Sequence, residues 1–140
     1  VFFKKVEVSM KAVKGKEILF TGENKIGGLE EITSVIKDNG INIRAISAWA
    51  VNGKAGFRLI TSDNTKAKEL LSAKGTVEER GIVIVEMPDE AGQLQLLAFK
   101  LKSNGLDLGY MYGTTCESGK SAIIIFSAND NEKALEVISG

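Results

Sequence analysis

Histidine is absent from the 140 residues. Its absence removes the commonest general base and metal ligand, and with it any Ser-His or Cys-His nucleophile pair within the chain. Cysteine occurs once, at Cys116, which excludes an internal disulfide and fits a reducing compartment. With no histidine beside it, Cys116 reads as a quiet thiol near a strand end. Neither charge prevails: 18 Lys+Arg stand against 18 Asp+Glu, so no net field favours nucleic acid or an anionic membrane. The longest apolar runs, such as 82–85 and 122–126, have strand length and cannot span a bilayer. No basic segment leads into a cleavable apolar stretch, so no secretory leader is expected and the cytoplasm is the expected location.

What is there is a repeat. Hydrophobic residues make up 44% of the chain, enough for a core. Sliding the sequence by 65 positions sets Asn24-Lys25-Ile26-Gly27-Gly28-Leu29 over Asp89-Glu90-Ala91-Gly92-Gln93-Leu94. The same shift sets Asn39-Gly40-Ile41-Asn42-Ile43 over Asn104-Gly105-Leu106-Asp107-Leu108. After a short adjustment, Asp63-Asn64-Thr65-Lys66-Ala67 meets Asp130-Asn131-Glu132-Lys133-Ala134. Matches in one order at nearly one offset indicate a duplicated unit.

Each copy reads as strand, helix, strand, strand, helix. Residues 17–22 and 81–87 are β-favouring runs bounded by polar turns. Leu29, Ile32 and Ile36 recur at helical spacing, as do Leu94, Leu97 and Leu101, which predicts helices over 28–38 and 93–103. Gly40 and Gly105 follow as left-handed C-caps. Strands are expected over 41–51 and 55–62, joined at Asn52-Gly53, and over 106–115 and 120–127, joined at Ser118-Gly119. Asp63 and Asp130 are the expected N-caps of the last helices. Residues 75–78 supply a fourth strand to the first copy. The second copy lacks one before the chain ends, and residues 1–9 are either an added strand covering that open edge or a plain extension. The fold class is therefore α+β, two tandem ferredoxin-like βαββαβ units with antiparallel sheets and helices on one face. The expected boundaries are an N-terminal extension over 1–15, a first domain over 16–80 and a second over 81–140.

Asn24…Gly27…Leu29 with Gly40-Ile41-Asn42-Ile43, and Asp89…Gly92…Leu94 with Gly105-Leu106-Asp107-Leu108, resemble the ACT-domain family. Its pattern is Asn/Asp-x-x-Gly-x-Leu, a helix, then Gly-(Ile/Val)-(Asn/Asp)-Ile. The Tyr110-Met111-Tyr112 run is similar to that of small stand-alone tandem members. Ile26 and Ala91 depart from the family, which often has proline there. The resemblance implies a cytoplasmic regulatory protein with no catalytic residues and no cofactor. It also implies amino-acid sites between neighbouring domains, and either a dimer or association with an enzyme of amino-acid metabolism.

The residues make a physical case beside that resemblance. Asn24, Lys25, Ile26, Gly27, Gly28 and Leu29, and Asp89, Glu90, Ala91, Gly92, Gln93 and Leu94, are bends that run into helix starts. Unpaired amides and the helix dipole there suit a carboxylate. Gly27 and Gly92 either let a ligand approach the backbone or simply make the turn. Asn42 and Asp107 are candidate acceptors for a ligand ammonium, and Asp107 alone brings a full charge, so the two sites are expected to differ. Tyr110 and Tyr112 share a strand face and either line a pocket or pack on the sheet. Trp49 is expected in the core or at a domain interface. Leu96 and Phe99 lie off the apolar stripe of their helix, where the first copy has Glu31 and Ser34, and they mark a contact face for a homodimer or an enzyme.

Other chemistries fit poorly. The central strands carry few aromatics for RNA, no cysteine pair exists for a metal, and neither first loop holds an arginine cradle for an acyl phosphate. The competing reading is an interaction or assembly module that binds no ligand.

Overall fold

The computed structural model describes residues 10–117 and 120–139. The expectations for residues 1–9, for the Ser118-Gly119 turn and for the Cys116 side chain lie outside the described residues. Ten elements follow one another: β1 (Lys11–Glu23), α1 (Gly28–Asp38), β2 (Ile43–Val51), β3 (Lys54–Thr61), α2 (Asn64–Leu71), β4 (Thr76–Pro88), α3 (Gln93–Ser103), β5 (Leu108–Glu117), β6 (Ser121–Ala128) and α4 (Asn131–Ser139). Two compact units result, and β1 and β4 each contribute to both. Residues 16–80 form one unit; residues 10–15 belong with 81–139 in the other.

Within residues 16–80 the strand order is β2-β3-β1-β4, the ferredoxin-like arrangement. β1 pairs antiparallel with β3, and β2 with β3. Alternation along β1 sends Ile18 and Phe20 to the helix side, where they meet Phe57 and Leu59 of β3, Ile32 and Ile36 of α1, and Ala67 and Leu71 of α2. These are among the most buried side chains of the chain, each stabilising the fold by roughly 1.5–3 kcal/mol for the larger ones.

The second unit repeats the plan with an order β1-β4-β6-β5. Val83, Val85 and Met87 of β4 pack with Leu97 and Leu101 of α3, Ala122 and Phe126 of β6, and Ala134 and Ile138 of α4. Met10 belongs to this core and Ala12 packs against it. The Ala12 N–H also donates to Ser139 Oγ at 3.1 Å. Residues 11–15 thus occupy the edge place that residues 76–80 hold in the first unit.

The duplication extends to single hydrogen bonds. Asp63 Oδ1 accepts from the Lys66 N–H, and Asp130 Oδ1 from the Lys133 N–H, both at 3.0 Å, the N-cap bonds read from the sequence. Asn64 accepts from the Thr61 N–H at 2.9 Å and donates to the Lys16 carbonyl at 3.0 Å. Asn131 does the same with Ala128 at 2.8 Å and Gly81 at 3.1 Å. At the ends of α1 and α3, Ile41 donates to Ile36 O and Leu106 to Leu101 O across Gly40 and Gly105, whose φ values are 72° and 67°. No helix among the described residues is long and apolar enough to cross a membrane.

Candidate functional site

Both predicted bends are built alike. Gly27 and Gly92 occupy the N-cap positions with φ of 84° and 89°. A Cβ at either would meet nothing within 4 Å, so the left-handed backbone, not crowding, is what calls for glycine. The Asn24 N–H donates to Gly53 O at 3.0 Å, and the Asp89 N–H to Lys120 O at 3.2 Å. Gly28 donates back to Lys25 O and Gln93 to Glu90 O, closing one turn at each bend. No side chain caps α1 or α3, and the amides of Leu29, Glu30, Leu94 and Gln95 have no acceptor among the described residues.

Beside the first bend lies a cavity of about 530 Å³, inside the unit of residues 16–80. Asn24, Lys25, Gly27, Gly28 and Leu29 line it, while Ile26 is fully exposed and takes no part. The cavity exists because one row of the sheet is made of small residues. Gly22, Ala55 and Ala50 stand side by side on β1, β3 and β2 and point towards α1. The next row, Phe20, Phe57 and Ala48, forms the apolar wall. Leu29 was expected in the helix's core stripe; it is 51% exposed because it faces this gap and not a side chain.

The polar rim has both signs. Glu31, on the first turn of α1, receives Lys25 Nζ at 2.8 Å and Lys74 Nζ at 3.0 Å. These hydrogen bonds, Lys25's first, hold the Glu31 carboxyl down to about 2 from its ordinary 4.5, and the same contact raises Lys25. Lys74 sits in the connection between α2 and β4, far from the bend in sequence, and no local pattern announces it. With Glu23 also on the rim, the side-chain charges sum to zero, which suits a zwitterion better than a lone anion. A carbon-detected titration of Glu31 is expected to give a midpoint near 2, moving towards 4.5 in a K25A/K74A double variant. Because the folded value is depressed, any stability the triad contributes is complete above pH 4.5 and is lost as pH falls through about 2.

Most of the other candidates fall elsewhere. Asn42 lines a separate hollow of about 320 Å³ with Thr33, Ile36 and Ile41. Its backbone is tied down, the N–H donating to Ser62 Oγ and the carbonyl accepting from the Ser62 N–H, both at 2.9 Å. Asp107 is held the same way by Asn129, at 3.1 and 3.0 Å. Tyr110 and Tyr112 stand opposite Ser127 and Ile125 on the sheet face turned away from the helices, both part-buried. Leu94 is 50% exposed, outside the core stripe assigned to it. Trp49 borders the first cavity and pairs with Gly56, and its ring lies over that glycine with the Arg58 guanidinium 5.2 Å from the ring centroid. Among the described residues no cluster of three His, Cys, Asp or Glu side chains offers a metal site.

Comparison with known proteins gives these features a context. The family model described as an ACT domain pair matches residues 14–139. A crystallised protein of Bacteroides thetaiotaomicron is similar over 90% of this chain and 87% of its own, at 27% identity and a TM-score of 0.82. The regulatory subunit of aspartate kinase from Thermus thermophilus, in a ligand-free form, shares the fold over 96% of this chain and 97% of its own, at 14% identity and a TM-score of 0.66. Among curated proteins, the riboflavin biosynthesis protein RibBA of Porphyromonas gingivalis is 26% identical over 93 residues. That match takes in 66% of this chain and only 22% of the relative's length.

Proposed function

The chain belongs to the ACT-domain-pair family, and from that membership we propose that it is a regulatory module that binds an amino acid and has no catalytic activity of its own. The observation that carries this is the cavity at the first bend. It combines an apolar floor, a balanced ionic rim and the open end of α1 in one place. The floor takes a side chain, Lys25 and Lys74 take a carboxylate, and Glu31 takes an ammonium. Its size lies within the range of small-molecule sites, roughly 300–1,000 Å³. The second bend, from Asp89 to Leu94 with Asp107 beyond it, is the pseudo-equivalent candidate. The effect of binding is read out by an enzyme of amino-acid metabolism, in the cytoplasm.

A thermal-shift screen of the twenty amino acids tests the reading. A true ligand at a hundred times its dissociation constant is expected to add about 2.7 kcal/mol of stability. No shift with any amino acid at about 10 mM, a concentration that detects even millimolar affinity, would overturn it.

One observation favours the ligand-free assembly module as second reading. Leu96 and Phe99 of α3 are 40% and 57% exposed, so that helix presents an apolar ridge to solvent. A flat thermal-shift screen together with a concentration-dependent sedimentation profile, lost in L96S/F99S, would select this reading.

A further inference from the structure

Among the described residues, the second unit differs from the first in the row of side chains that floors the first cavity and in the charges at its rim. The row Gly22, Ala55, Ala50 of the first unit corresponds in register to Met87, Ala122, Thr115 of the second. Gly22 carries no side chain, and the Phe20 ring lies over it, 3.1 Å from where a Cβ would stand; Met87, at the same register, puts in a side chain that is 2% exposed and belongs to the core of its unit. The rim changes as well. At the position of Lys25 the second copy has Glu90, and at that of Glu31 it has Leu96. A cation has become an anion and the central carboxylate an alkyl group, so the ion triad has no counterpart there.

We infer that amino-acid recognition resides in the unit of residues 16–80 alone, and that the ligand carries an apolar side chain. The inference rests on the amino-acid reading above. Its ligand class follows from the apolar walls of the cavity. The surfaces that would receive the ligand's side chain, Phe20, Phe57, Ala50 and Ala55, offer no polar side-chain atom. A lysine or aspartate side chain would be desolvated there without a partner.

Ala50 is the position for the test, because it is exposed and stands on a strand at the end of its unit's order. Calorimetric titration of the full chain with L-leucine and L-methionine is expected to give one equivalent per chain. Ala50→Phe fills the gap and is expected to weaken binding more than about tenfold. Thr115→Phe, at the matching place of the second unit, is expected to leave affinity within about twofold, well under 1 kcal/mol. Ala48→Leu is a second plug should A50F not fold, and far-UV circular dichroism reports folding of each variant. L-Lysine and L-aspartate are expected to bind more weakly than leucine by at least about tenfold. Two equivalents per chain, wild-type affinity in both plugged variants, or preference for a charged amino acid would each overturn the inference while leaving an amino-acid sensor standing. Silence of the wild-type chain towards every amino acid would remove the sensor reading itself.

Discussion

Arg58→Ala is expected to lower the free energy of unfolding by about 3–5 kcal/mol. The Arg58 guanidinium donates from Nη1 to Glu17 Oε1 at 2.8 Å, with the Glu17 side chain fully buried and that of Arg58 only 14% exposed. Both lie on β-strands of the first unit, on the sheet face opposite Ile18 and Leu59. A buried pair contributes little net stability, because forming it desolvates two charges; removing Arg58 is what hurts, since the Glu17 carboxylate loses this hydrogen-bonded cation while staying buried. Arg58 also stacks near the Trp49 ring, and truncation loses that contact too. The apolar pair E17L/R58M is expected to recover part of the loss, since the buried carboxylate is then removed together with the guanidinium it faces. Urea unfolding of the single and double variants measures both effects. A loss below about 1 kcal/mol in R58A would mean that the pair behaves as a surface bridge.

Phe126→Ala is expected to destabilise by about 3–5 kcal/mol, from lost transfer free energy and from the cavity left behind. Phe126 has no exposure and lies in the second core, opposite Val83 on one side and Met111 on the other. The strands on both flanks hold its surroundings in place, so collapse into the space is restricted. Phe126→Leu, which keeps most of the volume, is expected to lose less than half as much. The urea midpoint should fall while the slope with denaturant stays at its wild-type value. Equal stability of F126A and the wild-type chain would mean that the second core is not packed as described.

Much of this molecule is legible in local sequence. Helix limits at Gly28–Asp38 and Gln93–Ser103 coincide with the periodic stretches, because Ile32, Ile36, Leu97 and Leu101 recur on one helical face and the glycines at 40 and 105 end it. The capping bonds of Asp63 and Asp130 are equally local, spanning three residues. Leu29 and Leu94 show where periodicity misleads: the spacing puts them in the stripe, yet each is about half exposed. For Leu29 the reason is across the sheet, where Gly22, Ala55 and Ala50 offer nothing to pack against.

The candidate site was only partly readable. The Asn24–Leu29 bend is marked by its glycines and the helix that follows, and five of its six residues do line the cavity. Lys74, Ala50 and Ala55 come from elsewhere and carry no motif. Nothing in a stretch such as Ala-Trp-Ala says that its alanines face a ligand space while its tryptophan crosses a glycine on the opposite face; β-strand register decides that.

The sequence by itself determined the duplication, the element types and their caps, since these depend on interactions among residues a few positions apart. Only the tertiary structure decided that residues 11–15 join the second unit, that Lys74 meets Glu31, and that a row of small residues floors the cavity in one copy while Met87 stands buried at the matching register of the other. Those outcomes arise from strand neighbours tens of residues apart in the chain, where cross-strand register and side-chain volume act together and no short-range pattern records the result.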